Sequence, residues 1–140
     1  MSKLPSYEHV VQYYETDKMG IVHHSNYIRW FEEARVFVFD SIGAGYRECE
    51  QNGIISPVVE VSAKYKTSAE FYDTVVIDMK FVKYTGVRLC IEYAVTDKKT
   101  GVLRCEGKSE HCFADGDGKI ISVARTAPHI DAVLREYTEV

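Results

Sequence analysis

Two side chains capable of acid–base chemistry lie close together near the start of the chain, Asp17 and His24. A carboxylate can attack a carbonyl carbon or take a proton from water, and an imidazole titrates near neutral pH. His24 directly precedes a helical pattern, and free N–H groups at a helix start can stabilise an oxyanion. Gly20 lets the backbone approach a ligand closely. These parts suit acyl transfer, but aspartate is also common in turns, so spacing alone leaves both interpretations open.

The element that must position His24 is a long helix predicted to begin just after it. Its main apolar stripe recurs at spacings of three and four residues: Tyr27, Phe31, Ala34, Val38 and Ile42. Trp30 and Phe37 widen this apolar side. A mostly charged stripe forms one solvent-facing edge: Arg29, Glu32, Glu33, Val36 and Asp40. The helix is therefore expected to be buried over most of its circumference.

The boundaries of this helix can also be predicted. Ser25 or Asn26 is a suitable cap for its start. Gly43 and Gly45 mark its end, and the segment between them is read as ending this helix and not as opening another.

The rest of the chain is dominated by β patterns. The first run, residues 7–14, precedes the helix and is rich in β-forming residues. After Pro57 the period changes to two residues, which predicts four strands and a shorter last one: 58–65, 74–84, 87–95, 102–114 and 119–124. Residues 126–137 are predicted to form a terminal helix with Pro128 in its first turn. One apolar helix against one curved antiparallel sheet is an α+β architecture.

Composition excludes several classes of protein. The net charge is −4 with both signs mixed, which argues against a nucleic-acid-binding surface. No apolar stretch approaches a membrane span, and the N-terminus lacks the apolar region of a signal peptide. The four cysteines form no CxxC pair, so reduced thiols in a cytoplasmic protein are expected.

Metal sites are not supported by the sequence. "DGDGK" at 115–119 resembles the start of a calcium loop, but Lys119 and Thr126 occupy positions that need oxygen ligands, so a hairpin turn is predicted. His111 and Cys112 are adjacent in a predicted strand and would point to opposite faces.

The segment from Tyr13 to Arg35 carries a denser pattern than an isolated Thr-Asp pair. Its matching positions are Tyr13, Thr16, Asp17, Gly20, Val22, His24, Tyr27, Phe31, Glu32, Ala34 and Arg35. On these residues the chain resembles the 4-hydroxybenzoyl-CoA thioesterase family, especially its YbgC-like acyl-CoA branch.

The resemblance implies a hotdog fold, in which a curved antiparallel sheet wraps around a long central helix, in a single domain of residues 1–140. It implies an acyl-CoA thioesterase that needs no metal ion or other cofactor. It also implies a homodimer or homotetramer with active sites at the subunit interface.

The same resemblance implies roles for individual residues. Asp17 is the catalytic carboxylate, as nucleophile or as general base, and the backbone N–H at or near His24 polarises the thioester carbonyl. The side chains of His24 and Tyr13 orient the acyl group or water. Gly20 and Tyr27 complete the expected substrate-binding residues.

Several alternatives stay open at this point. Some hotdog thioesterases use a carboxylate on the central helix, but Glu32 and Glu33 fall on the charged stripe and are expected to be solvated. In the aromatic-substrate branch, basic residues at one strand turn contact the CoA phosphates, whereas the corresponding residues Tyr84–Gly86 carry no charge. A non-hydrolytic module that binds acyl-CoA or acyl-carrier thioesters is a second possible function. A dehydratase or isomerase with His24 as base is a third.

Overall fold

A computed structural model describes residues 3–139 and contains one five-stranded antiparallel sheet. Its strands are β1 (Tyr7–Val10), β2 (Val58–Tyr65), β3 (Thr74–Tyr84), β4 (Arg88–Asp97) and β5 (Leu103–Cys112). The order across the sheet is β1-β3-β4-β5-β2. The helices are α1 (Ser25–Ser41), α2 (Tyr46–Gln51), α3 (Val123–Thr126) and α4 (Pro128–Tyr137). The predicted α+β hotdog architecture is confirmed.

Helix α1 is the central helix, and its apolar side faces the sheet. Seven of its buried residues lie on this side or beside it: Tyr27, Trp30, Phe31, Ala34, Arg35, Val38 and Phe39. The alternate residues of β3 and β4 close the core from the other side, and the Phe31 ring stacks on Tyr93 of β4. The predicted charged stripe of α1 is exposed. Phe37 departs from the prediction because it is 43% exposed, with its ring 5.5 Å from that of the half-buried Tyr7.

The first predicted strand is too long. It ends at Val10, and residues Tyr13–Glu15 form a single 3-10 turn. The reason is local: the Gln12 N–H donates to the Glu15 carboxylate, so this group bonds to a side chain and not to a neighbouring strand. The chain therefore turns before it reaches Asp17.

Two predictions near glycine-rich segments are also wrong. Residues 119–124 form no strand, because β5 already has β4 and β2 on its two sides and Ile120 makes only an isolated bridge to Ala114. The segment from Gly43 to Gly45 does end α1, but Gly45 is also the N-cap of the unpredicted helix α2. The terminal helix is confirmed, with Pro128 at its start.

Strand β2 is one of the two edges of the sheet, opposite β1, and is exposed along almost its whole length. Four large apolar side chains of this strand are accessible: Val58, Val59, Val61 and Tyr65. An edge strand presents unpaired backbone groups to its surroundings. Within residues 3–139, no helix is both long enough and apolar enough to cross a bilayer.

Candidate active site at the start of the central helix

Asp17 lies at the first position of a tight turn between residues Thr16 and Val22, which bridge one another. The Gly20 N–H donates to the Asp17 carbonyl at 2.9 Å, and Gly20 has a positive φ of 80°. One carboxylate oxygen of Asp17, Oδ1, accepts the Met19 N–H at 2.8 Å. The second oxygen accepts no hydrogen bond from residues 3–139 and remains available for chemistry.

The start of α1 differs from the predicted capping arrangement. His24 is the N-cap residue, and its side chain makes no capping hydrogen bond. His23 takes that role, because its Nδ1 lies 3.3 Å from the Ser25 N–H and 2.9 Å from Ser25 Oγ. Asn26 is not a cap either, since its amide donates to the carbonyls of Glu15 and His23. The His24 N–H has no acceptor among residues 3–139, which leaves a donor at the positive end of the helix.

A cavity of about 260 Å³ brings the turn and the helix start together. Asp17, His24 and Tyr27 line it, with apolar walls from Met19, Ile21 and Val22 and with residues 65–68 at the end of β2. A larger cavity of about 590 Å³ lies elsewhere, against Phe81 and Tyr137, and is not lined by Asp17 or His24. The chemistry favours the smaller cavity because it joins a carboxylate to a helix N-terminus.

The walls of this cavity are fixed by contacts between aromatic rings. Tyr65 donates its hydroxyl to the His24 carbonyl at 3.2 Å, and its ring meets those of His24 and Tyr27 edge-on. The His24 ring also lies against His23, at 4.2 Å between ring centroids. Tyr27 in turn packs on Trp30 and is buried. The end of strand β2 is therefore attached directly to the start of α1.

Glu15 carries a second carboxylate, two residues before Asp17, but this carboxylate is occupied by hydrogen bonds within the protein. It is buried and receives hydrogen bonds from Trp30 Nε1 at 2.7 Å and from the Gln12 N–H at 2.8 Å. His9 Nε2 lies 2.7 Å from it. Burial alone would raise the pKa of Glu15, but the bonds from Gln12, His9 and Trp30 outweigh burial and lower this pKa.

The backbone of Glu15 holds the helix start in position. Its carbonyl accepts the His23 N–H at 2.8 Å and the Asn26 side-chain amide at 2.9 Å. Glu15 therefore connects the segment before Asp17 to α1 through both its backbone and its side chain. The sequence analysis did not identify this residue, although a glutamate three residues after Gln12 fits a capping box, and the structure contains one.

The five predicted site residues do not all meet in one place. Asp17, His24 and Tyr27 line the same cavity. Gly20 sets the turn and is exposed. Tyr13 lies outside this cavity, where its exposed ring contacts Phe71 at 5.5 Å between centroids. Tyr65 and the residues Lys66–Ser68 line the cavity without having been predicted to do so.

A separate polar cluster lies inside the core and does not reach this cavity. The Arg35 guanidinium donates to the Tyr93 hydroxyl at 2.9 Å, and a chain of hydrogen bonds continues through Ser109 to His111. Burial, together with the Arg35 charge, lowers the pKa of His111 to about 4. We interpret this cluster as structural, because its side chains bond to one another beneath the sheet. Residues 3–139 hold no group of three or more His, Cys, Asp or Glu side chains suited to a metal ion.

Comparison with known proteins decides the family. The profile of the Thioesterase-like superfamily matches residues 11–136. The chain belongs to the Thioesterase-like superfamily. This membership confirms the predicted class of enzyme, a thioester hydrolase, while the narrower YbgC-like branch remains a prediction.

Individual relatives agree with this membership. The chain is 33% identical over 105 residues to a putative acyl-CoA thioesterase, YneP, of Bacillus subtilis, covering 75% of each protein. It is also similar to the crystal structure of a DHNA-CoA thioesterase from Staphylococcus aureus, with a TM-score of 0.88 and 32% identity over 94% of this chain and 88% of that one. A hypothetical protein from Thermus thermophilus, TT1821, gives a TM-score of 0.87 at 28% identity, over 97% and 98% of the two chains.

Proposed function

We propose that this protein is an acyl-CoA thioesterase in which Asp17 is the catalytic carboxylate. The observation that carries the proposal is a single cavity lined both by Asp17, which keeps one carboxylate oxygen free, and by His24, whose N–H at the start of α1 has no acceptor within residues 3–139. Family membership supports thioester chemistry, and the names of two relatives support CoA as the thiol.

The proposed reaction uses the parts of this cavity as follows. Asp17 takes a proton from a water molecule while the water oxygen bonds to the thioester carbon, or Asp17 itself bonds to that carbon and water later cleaves the anhydride. In either case the electron pair of the carbonyl moves to its oxygen, where the His24 N–H stabilises the negative charge. The intermediate then expels the CoA thiolate. In the first route the thiolate receives the proton that Asp17 took from water. In the second route the water that cleaves the anhydride supplies this proton, and Asp17 is regenerated as a carboxylate. Either route leaves the free acid.

The other predicted site residues have supporting roles in this proposal. Tyr27 forms a rigid wall against the acyl group, and the His24 ring flanks the reacting atoms from the same helix start. Gly20 holds the turn that aims Asp17 at the cavity. None of these roles requires a metal ion or an organic cofactor.

We further propose that a second copy of the chain completes the site. A cavity of about 260 Å³ is below the roughly 300–1,000 Å³ of sites that enclose a small ligand. It lies where the exposed edge strand β2 ends, so a copy paired along that edge would lie next to Tyr65 and Lys66. A homodimer or homotetramer is expected, and sedimentation equilibrium would measure it; a stable monomer that is fully active would contradict this part of the proposal.

The function is tested by release of free thiol from CoA esters of graded chain length, with aromatic esters in the same series. We expect turnover with at least one ester and none with the matching oxygen ester of similar shape. Tight binding of CoA esters without thiol release would instead favour the non-hydrolytic alternative. Hydration of an enoyl ester without thiol release would favour the dehydratase.

We also propose that the protein works in the cytoplasm. The support is the state of the four cysteines, which are all free thiols in the structure: Cys49, Cys90, Cys105 and Cys112. Free thiols persist where the surroundings are reducing. Fractionation of the source cells, with detection by antibody, measures the compartment, and recovery in a secreted fraction would contradict this proposal.

A further inference from the structure

Tyr72 adopts a backbone conformation that its side chain disfavours. Its φ is 73°, and it is the third residue of a turn in which the Asp73 N–H donates to the Glu70 carbonyl at 3.1 Å. Phe71, the second residue, has no positive φ, so this is a turn of type II. That position normally holds glycine or asparagine, and a bulky residue there is a conformational outlier. Such outliers are concentrated at binding and catalytic sites.

The strained turn displays aromatic surface to solvent. The Tyr72 ring is 77% exposed and stacks on Phe71 at 3.9 Å between centroids with an interplanar angle of 23°. Tyr13, which is 76% exposed, contacts Phe71 at 5.5 Å between ring centroids. We call these three residues the aromatic platform. One face of Tyr72 is covered by Phe71, and its remaining exposed surface can receive another flat ring.

A third cavity, of about 410 Å³, adjoins the aromatic platform, and Tyr72, Lys98 and Lys99 are among its lining residues. Lys99 makes no ion pair within residues 3–139, whereas Lys98 Nζ lies 2.8 Å from Glu8 at an exposed position. Two carboxylates, Asp73 and Asp97, also line the cavity.

The two carboxylates of this cavity are already occupied by interactions within the protein. Arg104 lies 3.9 Å from Asp73 and 3.4 Å from Asp97. Asp97 also accepts hydrogen bonds from the backbone and hydroxyl of Thr100, at 2.9 and 3.0 Å. Arg104 offsets one of these two negative charges, and Lys99, which makes no ion pair within residues 3–139, is an available cation in the cavity that Tyr72 also lines.

We propose that the aromatic platform and the adjoining lysines bind the nucleotide half of the CoA substrate. The adenine ring would stack on Tyr72, and the phosphate groups would lie against Lys99 and Lys98. Base–aromatic stacking combined with lysine contacts is a common way to hold a nucleotide. The proposal rests on the proposed acyl-CoA thioesterase function, and it gives the CoA phosphates a place that the uncharged turn Tyr84–Gly86 does not offer.

The placement is compatible with the catalytic cavity. Ser68 lines the catalytic cavity and Tyr72 lines the cavity beside the aromatic platform. Four residues of chain span at most about 14 Å. The extended pantetheine arm of CoA is longer than this distance. The arm is therefore long enough to connect the two cavities.

The test compares one acyl group carried on CoA with the same acyl group carried on pantetheine, which lacks the nucleotide. Tyr72→Gly suits the positive φ and removes the ring. We expect it to raise KM for the CoA ester by roughly 5- to 100-fold and to leave the pantetheine ester unchanged. Tyr72→Phe keeps the stack and should keep the wild-type KM. Tyr14→Ala removes an 81% exposed tyrosine outside the platform and serves as the matched control.

A binding measurement separates this proposal from the proposed function. Adenosine 3′,5′-bisphosphate should bind the wild type and compete with the CoA ester, and Tyr72→Gly should weaken its binding by roughly the same 5- to 100-fold. Tyr72-dependent binding without hydrolysis of any thioester would contradict the proposed function but support the subsite. Unchanged KM values in Tyr72→Gly, or equal losses on both esters, would overturn the subsite while leaving the thioesterase in place. If Tyr72→Gly changed the oligomeric mass but not KM, the proposed subsite would also be overturned.

Discussion

Two tight turns, at residues 17–20 and 115–118, have the same backbone construction. Each begins with an aspartate whose N–H donates four residues ahead, to Ile21 or to Lys119, at 2.9 Å. Each ends with a glycine at nearly the same φ, 80° and 81°. In each, the aspartate Oδ1 accepts an N–H two residues later, at 2.8 and 2.9 Å. The turn geometry alone therefore explains why an aspartate occupies both places, and it does not show which of the two could be catalytic.

The difference lies in what each turn faces. The first is followed by the 17-residue helix α1, whose His24 N–H is unoccupied, and it lines a cavity with that helix. The second is followed by the four-residue helix α3, whose first N–H, from Val123, already donates to the Gly86 carbonyl at 2.9 Å. A turn aspartate becomes a candidate catalyst only when a free carboxylate oxygen and a free donor face one space.

The largest expected difference between the turns is in activity. Asp17→Ala removes both the turn contact and the carboxylate, so we expect kcat to fall by roughly 10²–10⁴-fold, as for loss of a general base or nucleophile. Asp115→Ala removes only turn contacts, from the Asp117 and Lys119 N–H groups, and should change kcat less than about twofold, because Asp115 does not line the catalytic cavity. Steady-state thiol release measures both. A comparable loss in the two variants would show that turn integrity, and not the carboxylate, limits the reaction.

The second difference is the attachment of the first turn to the helix through Glu15. Glu15→Ala leaves the buried Trp30 N–H and the partly buried Gln12 N–H without their acceptor, and we expect a loss of about 2–4 kcal/mol in the free energy of unfolding. Urea denaturation measures this loss. Glu106→Ala, at an exposed glutamate, is the control and should change stability by less than about 0.5 kcal/mol. Equal effects would mean that Glu15 does not anchor the turn.

The third expectation concerns Gly20 and Gly118, which end the two turns. Substituting either one should affect stability alike, but the effects on catalysis should differ. Gly20→Ala and Gly118→Ala each force an L side chain into the left-handed region, with open space around the added carbon. Each should cost about 1–2 kcal/mol in the free energy of unfolding. Only Gly20→Ala should also lower kcat, because it disturbs the aim of Asp17. If Gly118→Ala lowered kcat equally, the comparison between the turns would fail.

The smallest expected effect is a pH dependence of the Glu15 attachment. The pKa of Glu15 is lower in the folded protein than in the unfolded chain, so its stabilising contribution is complete above the ordinary carboxyl pKa, about 4.3. The contribution is lost as the pH falls through the lowered folded pKa. Glu15→Gln should therefore lose less stability than the wild type between about pH 5 and pH 3. Parallel acid-unfolding curves for the two proteins would contradict this assignment.

Much of the fold could be predicted from the sequence because its signals are local. The two-residue alternation located β2 and β3 at their observed bounds, 58–65 and 74–84, and the three-four spacing located α1. Of the two failures, the first has a non-local cause and the second a local one. Residues 119–124 have a strand-like composition but no free sheet edge beside them, and residues 11–14 leave the sheet because the Glu15 carboxylate takes the Gln12 N–H.

Some features of the candidate site could likewise be predicted from the sequence, and others could not. The placement of Asp17 before a helix start could be read from the order of residues, and the structure brings Asp17, His24 and Tyr27 to one cavity. The burial of Glu15 could not be read in this way, because it depends on Trp30 and His9, each from another element. Nor could the position of Tyr13, whose partner Phe71 is far away in the chain. The positive φ of Tyr72 has no local sequence signal, since glycine is the residue that normally marks such a turn.

The central claim is that the carboxylate of Asp17, and not the turn it closes, carries out thioester hydrolysis. Asp17→Asn is the substitution that separates the two, because the asparagine side-chain oxygen can still accept the Met19 N–H while the charge is lost. The decisive measurement is kcat for thiol release by this variant, with circular dichroism to confirm an unchanged fold. We predict a fall of roughly 10²–10⁴-fold with the fold retained. Near-normal turnover by Asp17→Asn would contradict the account.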